Sequence, residues 1–211
     1  MTLDIEAYRK QSERWPTSGR HILAQFDADS VIVYQAFRRE IAEHAVRHGR
    51  FGGDFSFDRM SWIKPNFLWM MYRSGWGTKA DQEVTLAIRL PRSAFEQLLR
   101  EAVHSTFASD VYSDERCWRA AVASSSVRLQ WDPDHDPRGR PLARRALQLG
   151  LRGDALRLFA TEWVTEIQDI SAFVAEQRNH RDDVEGAPLL TPCERVFPIS
   201  DSVAAKRLQL D

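Results

Sequence analysis

The chain has 211 residues, 43% hydrophobic and 28% charged, which is enough apolar material for a sizeable core beneath an ordinary solvated surface. A formal net charge of −1 excludes a global field as the means of drawing in nucleic acid or membrane, so either function would need a local patch. Cys117 and Cys193 stand far apart without metal-ligand spacing and predict free thiols in a reducing compartment.

Residues 3–13 predict a short helix that stops before Pro16. In RHILAQFDADSVIVYQAF, the apolar runs 22–26 and 31–37 flank a turn-like Asp27-Ala28-Asp29-Ser30 and read as a strand pair. RREIAEHAVRHG predicts a helix with Ile41, Ala45 and His48 on one face and Gly49 as its C-cap. FGGDFSFDRM reads as a loop, and residues 65–74 as a helix with Pro65 in the first turn. EVTLAIRLP alternates Val84, Leu86, Ile88 and Leu90 against Thr85, Ala87 and Arg89, the pattern of a half-buried strand. A helix beginning near Pro91 carries Phe95, Leu98, Leu99 and Val103 on one side.

SSVRLQWDPDHDPRGRP predicts a strand through Val127, Leu129 and Trp131, then a polar turn; RRALQLGL adds a short strand. From Asp154, the apolar positions Leu156, Phe159, Trp163, Ile167, Ile170 and Val174 mark a helix or helix pair. NHRDDVEGAP reads as a solvated loop and CERVFPI as β-prone. This order predicts an α+β fold, antiparallel strands with interspersed helices, in a single domain over residues 1–211. No apolar run approaches a membrane span, and the charged opening MTLDIEAYRKQSERWP lacks a signal-peptide core. A cytoplasmic protein with no membrane partner is the expectation.

Four stretches carry side chains suited to chemistry. In SWIKPNFLWMMYRSGW, Trp62, Trp69 and Trp76 are spaced by seven and would share a face on a helix. They read as core packing, or as a wall for a planar heterocycle, with Asn66, Tyr72, Arg73 and Ser74 among them and Arg73 and Lys64 placed for a phosphate. VIVYQAFRRE puts Tyr34 and Gln35 at a strand end, where Gln35 can donate and accept hydrogen bonds. Arg38 and Arg39 follow in a first helical turn that disfavours cations, which points to an anionic partner for at least one of them; the alternative is a surface arginine pair. TPCERVFPIS puts Glu194 at the head of a strand between Pro192 and Pro198, as a catalytic acid, a ribose anchor or a surface ion pair.

In DPDHDPRGRPLARR, Asp132, Asp134, His135 and Asp136 have the chemistry of a hard-cation site, but a Pro-bounded turn is expected to hold solvated polar groups, so no metal site is predicted. Arg138, Arg140, Arg144, Arg145 and Arg152 form the one basic segment, either a phosphate-contacting patch or a solvated face. GxGxxG, Walker, HExxH, CxxC and GxSxG motifs are absent, which weighs against the common nucleotide folds, zinc enzymes and hydrolases.

VYQAF, MSWIKPNFLWMMYRSGWG, LQWDPDHDPRG, RALQLGLRG and PCERVFPI, in this order, resemble the family catalogued as domain of unknown function 4291 over nearly the whole chain. Shorter motifs resemble ADP-ribosyltransferases, whose split antiparallel sheet surrounds a cleft for NAD. That resemblance implies that VIVYQAF is the first core strand, with Gln35 where His or Arg is usual, and that CERVFP carries Glu194 in the catalytic position. It implies Tyr72, Ser74 and Trp76 beneath the nicotinamide, with Arg73 or Arg38 on the pyrophosphate. The implied protein binds NAD as a substrate, with Glu194 and Gln35 catalytic and Tyr34, Arg38, Tyr72, Arg73, Ser74 and Trp76 lining the dinucleotide cleft. Transfer of ADP-ribose and binding without turnover both stay open, since Gln35 departs from the family pattern. The acceptor is open too, nucleic acid included. The rival expectation is a non-catalytic RNA-binding module that uses Arg138 to Arg152 for phosphates and the tryptophans for base stacking.

Overall fold

The computed structural model describes residues 3–182 and 188–211. In chain order these form β1 (Ile5–Ala7), α1 (Tyr8–Ser12), β2 (Gly19–Arg20), β3 (Leu23–Ala24), β4 (Ser30–Phe37), α2 (Arg39–His48) and β5 (Ser61–Ile63). Next come α3 (Phe67–Ser74), β6 (Val84–Pro91), α4 (Arg92–Glu101), β7 (Val103–His104), α5 (Glu115–Ser124) and β8 (Val127–His135). Then follow β9 (Pro141–Leu151), α6 (Gly153–Leu158), a π-helical turn (Phe159–Trp163), β10 (Glu166–Asp169), α7 (Ser171–His180), β11 (Leu190–Pro192), β12 (Arg195–Val196) and α8 (Ser202–Leu208). The expected loop NHRDDVEGAP lies partly outside the described residues.

The fold is mixed α+β with mostly antiparallel sheets. One sheet has the order β10-β6-β4, antiparallel throughout. A second runs β2-β9-β8-β7, with β5 also paired to β9; β2 and β7 join it in parallel. The pairs β1-β11 and β3-β12 tie the two ends of the chain together. The two larger sheets touch at one bridge, where Tyr34 N–H donates to the Lys64 carbonyl at 2.7 Å and Lys64 N–H donates back at 3.2 Å.

β4 is rich in β-branched and aromatic residues and is covered on both faces. Val31 and Val33 enter the larger core, and Ile32 and Tyr34 enter a smaller one with Phe67, Met71 and Val174. β6 lies between β4 and β10, and this corrects the half-buried expectation: Thr85 and Ala87 are as fully buried as Leu86 and Ile88. A central strand covered by both cores has no solvent face.

Other expectations shift for similar reasons. The predicted helix over 3–13 divides into β1 and α1, because β1 is recruited by β11. Runs 22–26 and 31–37 meet only at a Phe26–Val31 bridge; β3 pairs with β12, and β4 with β6. The polar turn after Trp131 is instead strand, continuing through His135 with an irregularity near Pro133. Asp132 can stay there because Gln130 and Gln148 donate to it at 2.8 and 2.7 Å, and Asp134 because Arg144 does. Of the helix or helix pair expected from Asp154, the first helix, α6, ends in the π turn and Val174 lies in a second, α7, but Ile167 between them lies in β10 opposite Ile88. α2 ends at Gly49 in the left-handed region, as its sequence predicts.

Candidate functional site

A cavity of about 580 Å³ opens beside the bridge between the sheets. β4 and its exit supply Gln35 and Arg38, β5 and the residue after it supply Trp62 and Lys64, and α3 supplies Arg73; Arg59 comes from the preceding loop. Trp62 can lie over the sheet because β9 has glycine beneath it. A Cβ at Gly150 would sit 2.6 Å from Met60 Sδ and 3.0 Å from the Trp62 ring.

Lys64 is 6% exposed. Its ammonium makes one long hydrogen bond, 3.5 Å to the Trp62 carbonyl, and no ion pair among the described residues. Burial pulls its pKa down to about 7, with Arg73 adding to the shift and Asp132 opposing it. Gln35 is also buried. Its Nε2 donates to Ser61 Oγ at 2.7 Å and to the Trp62 carbonyl at 3.2 Å, while Oε1 has no partner among the described residues. Arg38 donates to Asp54 at 2.7 Å and Arg39 lies 3.5 Å from Glu43, so both members of the arginine pair hold an acidic partner, each in an exposed ion pair. Arg59 and Arg73 are exposed, and their guanidinium groups make no hydrogen bond or ion pair among the described residues. The lining therefore sets four basic side chains (Arg38, Arg59, Lys64, Arg73) against two acidic ones (Asp54, Asp81).

Glu194 lies in the smaller core's neighbourhood, 2% exposed. Its Oε1 accepts from Phe67 N–H at 2.6 Å and its Oε2 from Asn66 Nδ2 at 2.8 Å. Asn66 is the N-cap of α3, its Oδ1 accepting from Trp69 N–H at 2.7 Å. The carboxyl thus sits at the positive end of α3, a place that favours an anion. Burial nevertheless pushes its pKa up to about 8; Phe67 N–H and Arg144 pull it down, while Asp134 raises it. Tyr34 stands close by, its ring 5.6 Å from Phe67. Its hydroxyl is buried without a partner among the described residues, and desolvation, then Glu194, raises its pKa. Alternate residues of β4 face opposite ways, so Tyr34 belongs with Glu194 and Gln35 with the cavity.

A family model described as domain of unknown function (DUF4291) matches residues 21–197. The chain belongs to this family. The matched span takes in the whole DUF4291 cavity and Glu194 together. A search of curated proteins returned no match.

The other residues singled out in this DUF4291 chain take separate places. Tyr72 is 42% exposed and stacks on His135 at 3.5 Å between ring centroids, with Trp69 alongside. Ser74 is fully buried, donating to the Met70 carbonyl and accepting from Gly77 N–H, so it closes the end of α3. Trp76 is buried beyond the helix and donates to the Pro137 carbonyl at 3.2 Å. The three tryptophans do not share a helical face: Trp62 is on β5, Trp69 on α3, and Trp76 follows the left-handed Gly75.

The structure therefore brings Gln35, Arg38 and Arg73 to the cavity, and Tyr34 to Glu194. The sequence marks Lys64 only as a phosphate partner and places Arg59 in a loop with no further signal; a lysine between Ile63 and Pro65 beside a strand is the signal for the first. The basic segment is largely engaged internally. Arg138 donates to the Asp182 carbonyl at 3.0 Å, Arg140 pairs with Asp136 at 2.7 Å, and Arg152 donates to the Val122 and Ser125 carbonyls. Arg144 is buried against Asp134 at 2.6 Å and over the Trp15 ring. No helix among the described residues is long and apolar enough to cross a membrane.

Proposed function

We propose that the cavity binds an NAD-type dinucleotide, making the chain an ADP-ribosyltransferase-like protein in its ligand. The observation that carries this reading is Lys64, a buried amine that is cationic below about pH 7 and has no counter-ion among the described residues, beside two guanidinium groups that are unpartnered among them. An unpaired buried charge costs several kcal/mol, on the order estimated for desolvated ions, and a phosphate in the cavity would offset that cost. Arginine forks suit phosphate oxygens. The Trp62 indole supplies a face for a planar ring, and Gln35 Oε1 an acceptor for a hydroxyl or carboxamide N–H. The volume suits a small-molecule site. The split-sheet reading belongs to the same proposal, with the cavity at the junction of the two larger sheets.

Transfer of ADP-ribose to an acceptor is the catalytic form of the proposal. It would use the Glu194 carboxylate to orient the ribose and to stabilise oxocarbenium charge. Glu194 does not line the cavity, both its oxygens are engaged at α3, and burial pushes its pKa up to about 8, so this role requires the first turn of α3 to open, the carboxyl to reach the cavity and its proton to leave. Binding without turnover has the better support, from that engagement and from Gln35. The RNA reading draws little, because Trp69 and Trp76 are buried and most of the basic segment is paired.

Thermal-shift and calorimetric titrations with NAD, ADP-ribose and short RNA test the proposal. A rise in Tm with NAD or ADP-ribose that disappears in Arg73→Ala supports it. No response to either at millimolar concentration, with salt-sensitive RNA binding instead, overturns it. Where NAD binds, labelled NAD with a Glu194→Gln control reads turnover.

A further inference from the structure

Lys64 differs in kind from the arginines around it. A guanidinium does not give up its proton in a protein, whereas a desolvated lysine does. The Lys64 backbone is fixed at the bridge with Tyr34, and its side chain is 6% exposed. Its ammonium has no carboxylate partner among the described residues, only the distant Trp62 carbonyl. Arg73 repels its charge and Asp132 attracts it, while Arg38, Arg59, Asp54 and Asp81 surround the same cavity. With a pKa of about 7, about half of the amine is neutral at neutral pH. Desolvation beside a second cation is one of the ways a lysine becomes a nucleophile toward carbonyl compounds.

We propose that Lys64 is the nucleophilic amine of the cavity, condensing with a phosphate-bearing aldehyde or ketone whose phosphate is held by Arg59 and Arg73. The inference rests on the phosphate-binding part of the functional reading, not on NAD as the ligand. The Nζ lone pair attacks the carbonyl carbon, a C–N bond forms, and the nitrogen's proton passes to the carbonyl oxygen to give a carbinolamine. Loss of that hydroxyl with the remaining nitrogen proton releases water and leaves C=N. No oxidant or reductant is needed. Gln35 Oε1, buried on the same wall and without a partner among the described residues, can accept a hydrogen bond from the carbinolamine hydroxyl.

Pyridoxal 5′-phosphate, an aldehyde that carries a phosphate, is the probe, with borohydride to trap the imine and peptide mass spectrometry to locate it. The chain has four lysines, Lys10, Lys64, Lys79 and Lys206, and all but Lys64 are exposed, so each serves as an internal control. At pH 7, Lys64 should label at least about tenfold faster than the others, given its larger neutral fraction. Inorganic phosphate should slow Lys64 alone, as should Arg73→Ala or replacing the probe with pyridoxal. Labelling of Lys64 no faster than Lys10, or unaffected by phosphate, overturns the inference. Protection by phosphate but not by NAD overturns NAD as the ligand and leaves the amine assignment standing.

Discussion

Between pH 4.5 and about 8, Glu194 holds a proton in the folded chain that it releases in the unfolded one. Its contribution to stability is therefore complete below pH 4.5 and is lost as pH rises through about 8. Lys64 works in the opposite direction and in another window. Its pKa falls from 10.5 to about 7, so between those values the unfolded state binds more protons and stability rises with pH. Measurements below pH 7 separate Glu194 from Lys64, and the contributions of His104 and His135, whose burial lowers their pKa values, are common to the wild type and Glu194→Gln and cancel in their comparison. Glutamine resembles the neutral acid in shape and in presenting one donor where Asn66 or Phe67 also donates. The Tm of Glu194→Gln, measured from pH 5 to 7, should fall less than that of the wild type, a difference on the order of a few kcal/mol by pH 7. Parallel curves would mean that the donors at the α3 N-terminus keep the carboxylate ionised despite its burial. At this scale Glu194 stood out in the sequence as a lone acid between two prolines. Its burial did not, because Asn66 and Phe67, which enclose it, lie 128 and 127 residues away.

Elements with local punctuation were the most legible. Pro65 and Asn66 before α3 and Gly75 after it mark both ends of the helix, and Gly49 marks the end of α2. β10 was not legible, because Ile167 and Ile170 also fit a helical period and only the pairing with β6 makes this stretch a strand. β8 outran its expected end because Arg144 and two glutamines satisfy its acids from neighbouring positions on the sheet. The placing of Trp62 belongs to this scale too, since it depends on glycine at one position of β9. Gly150→Ala forces the indole or Met60 to move. The expected cost is about 1–3 kcal/mol in stability, together with weaker binding of NAD by calorimetry as the ring wall shifts. Unchanged NAD affinity in a folded Gly150→Ala variant would show that Trp62 is not part of the ligand surface.

Across the whole molecule, alternation and helix periodicity were sufficient to indicate a mixed, mostly antiparallel α+β chain. They did not reveal the division into two larger sheets, or the bridge between Tyr34 and Lys64 that joins them, since such pairings are set by packing rather than by local pattern. Arg144 shows the same limit. It reads as one of a basic run, yet it is buried, pairs with Asp134 and donates to the Pro16 carbonyl at 2.6 Å, fastening the N-terminal segment to the larger sheet. The cavity beside the bridge is where this architecture leaves a cation without an anionic partner among the described residues, and the functional account depends on that cation meeting a phosphate. Calorimetric titration of pyrophosphate at pH 6, where Lys64 is charged, into wild type and Lys64→Met is the most direct test. The account predicts binding by the wild type, at least about tenfold (1.4 kcal/mol) weaker binding by the variant, and a variant Tm no lower than that of the wild type because a desolvated charge has been removed. Equal affinities, or no binding by the wild type, would contradict it.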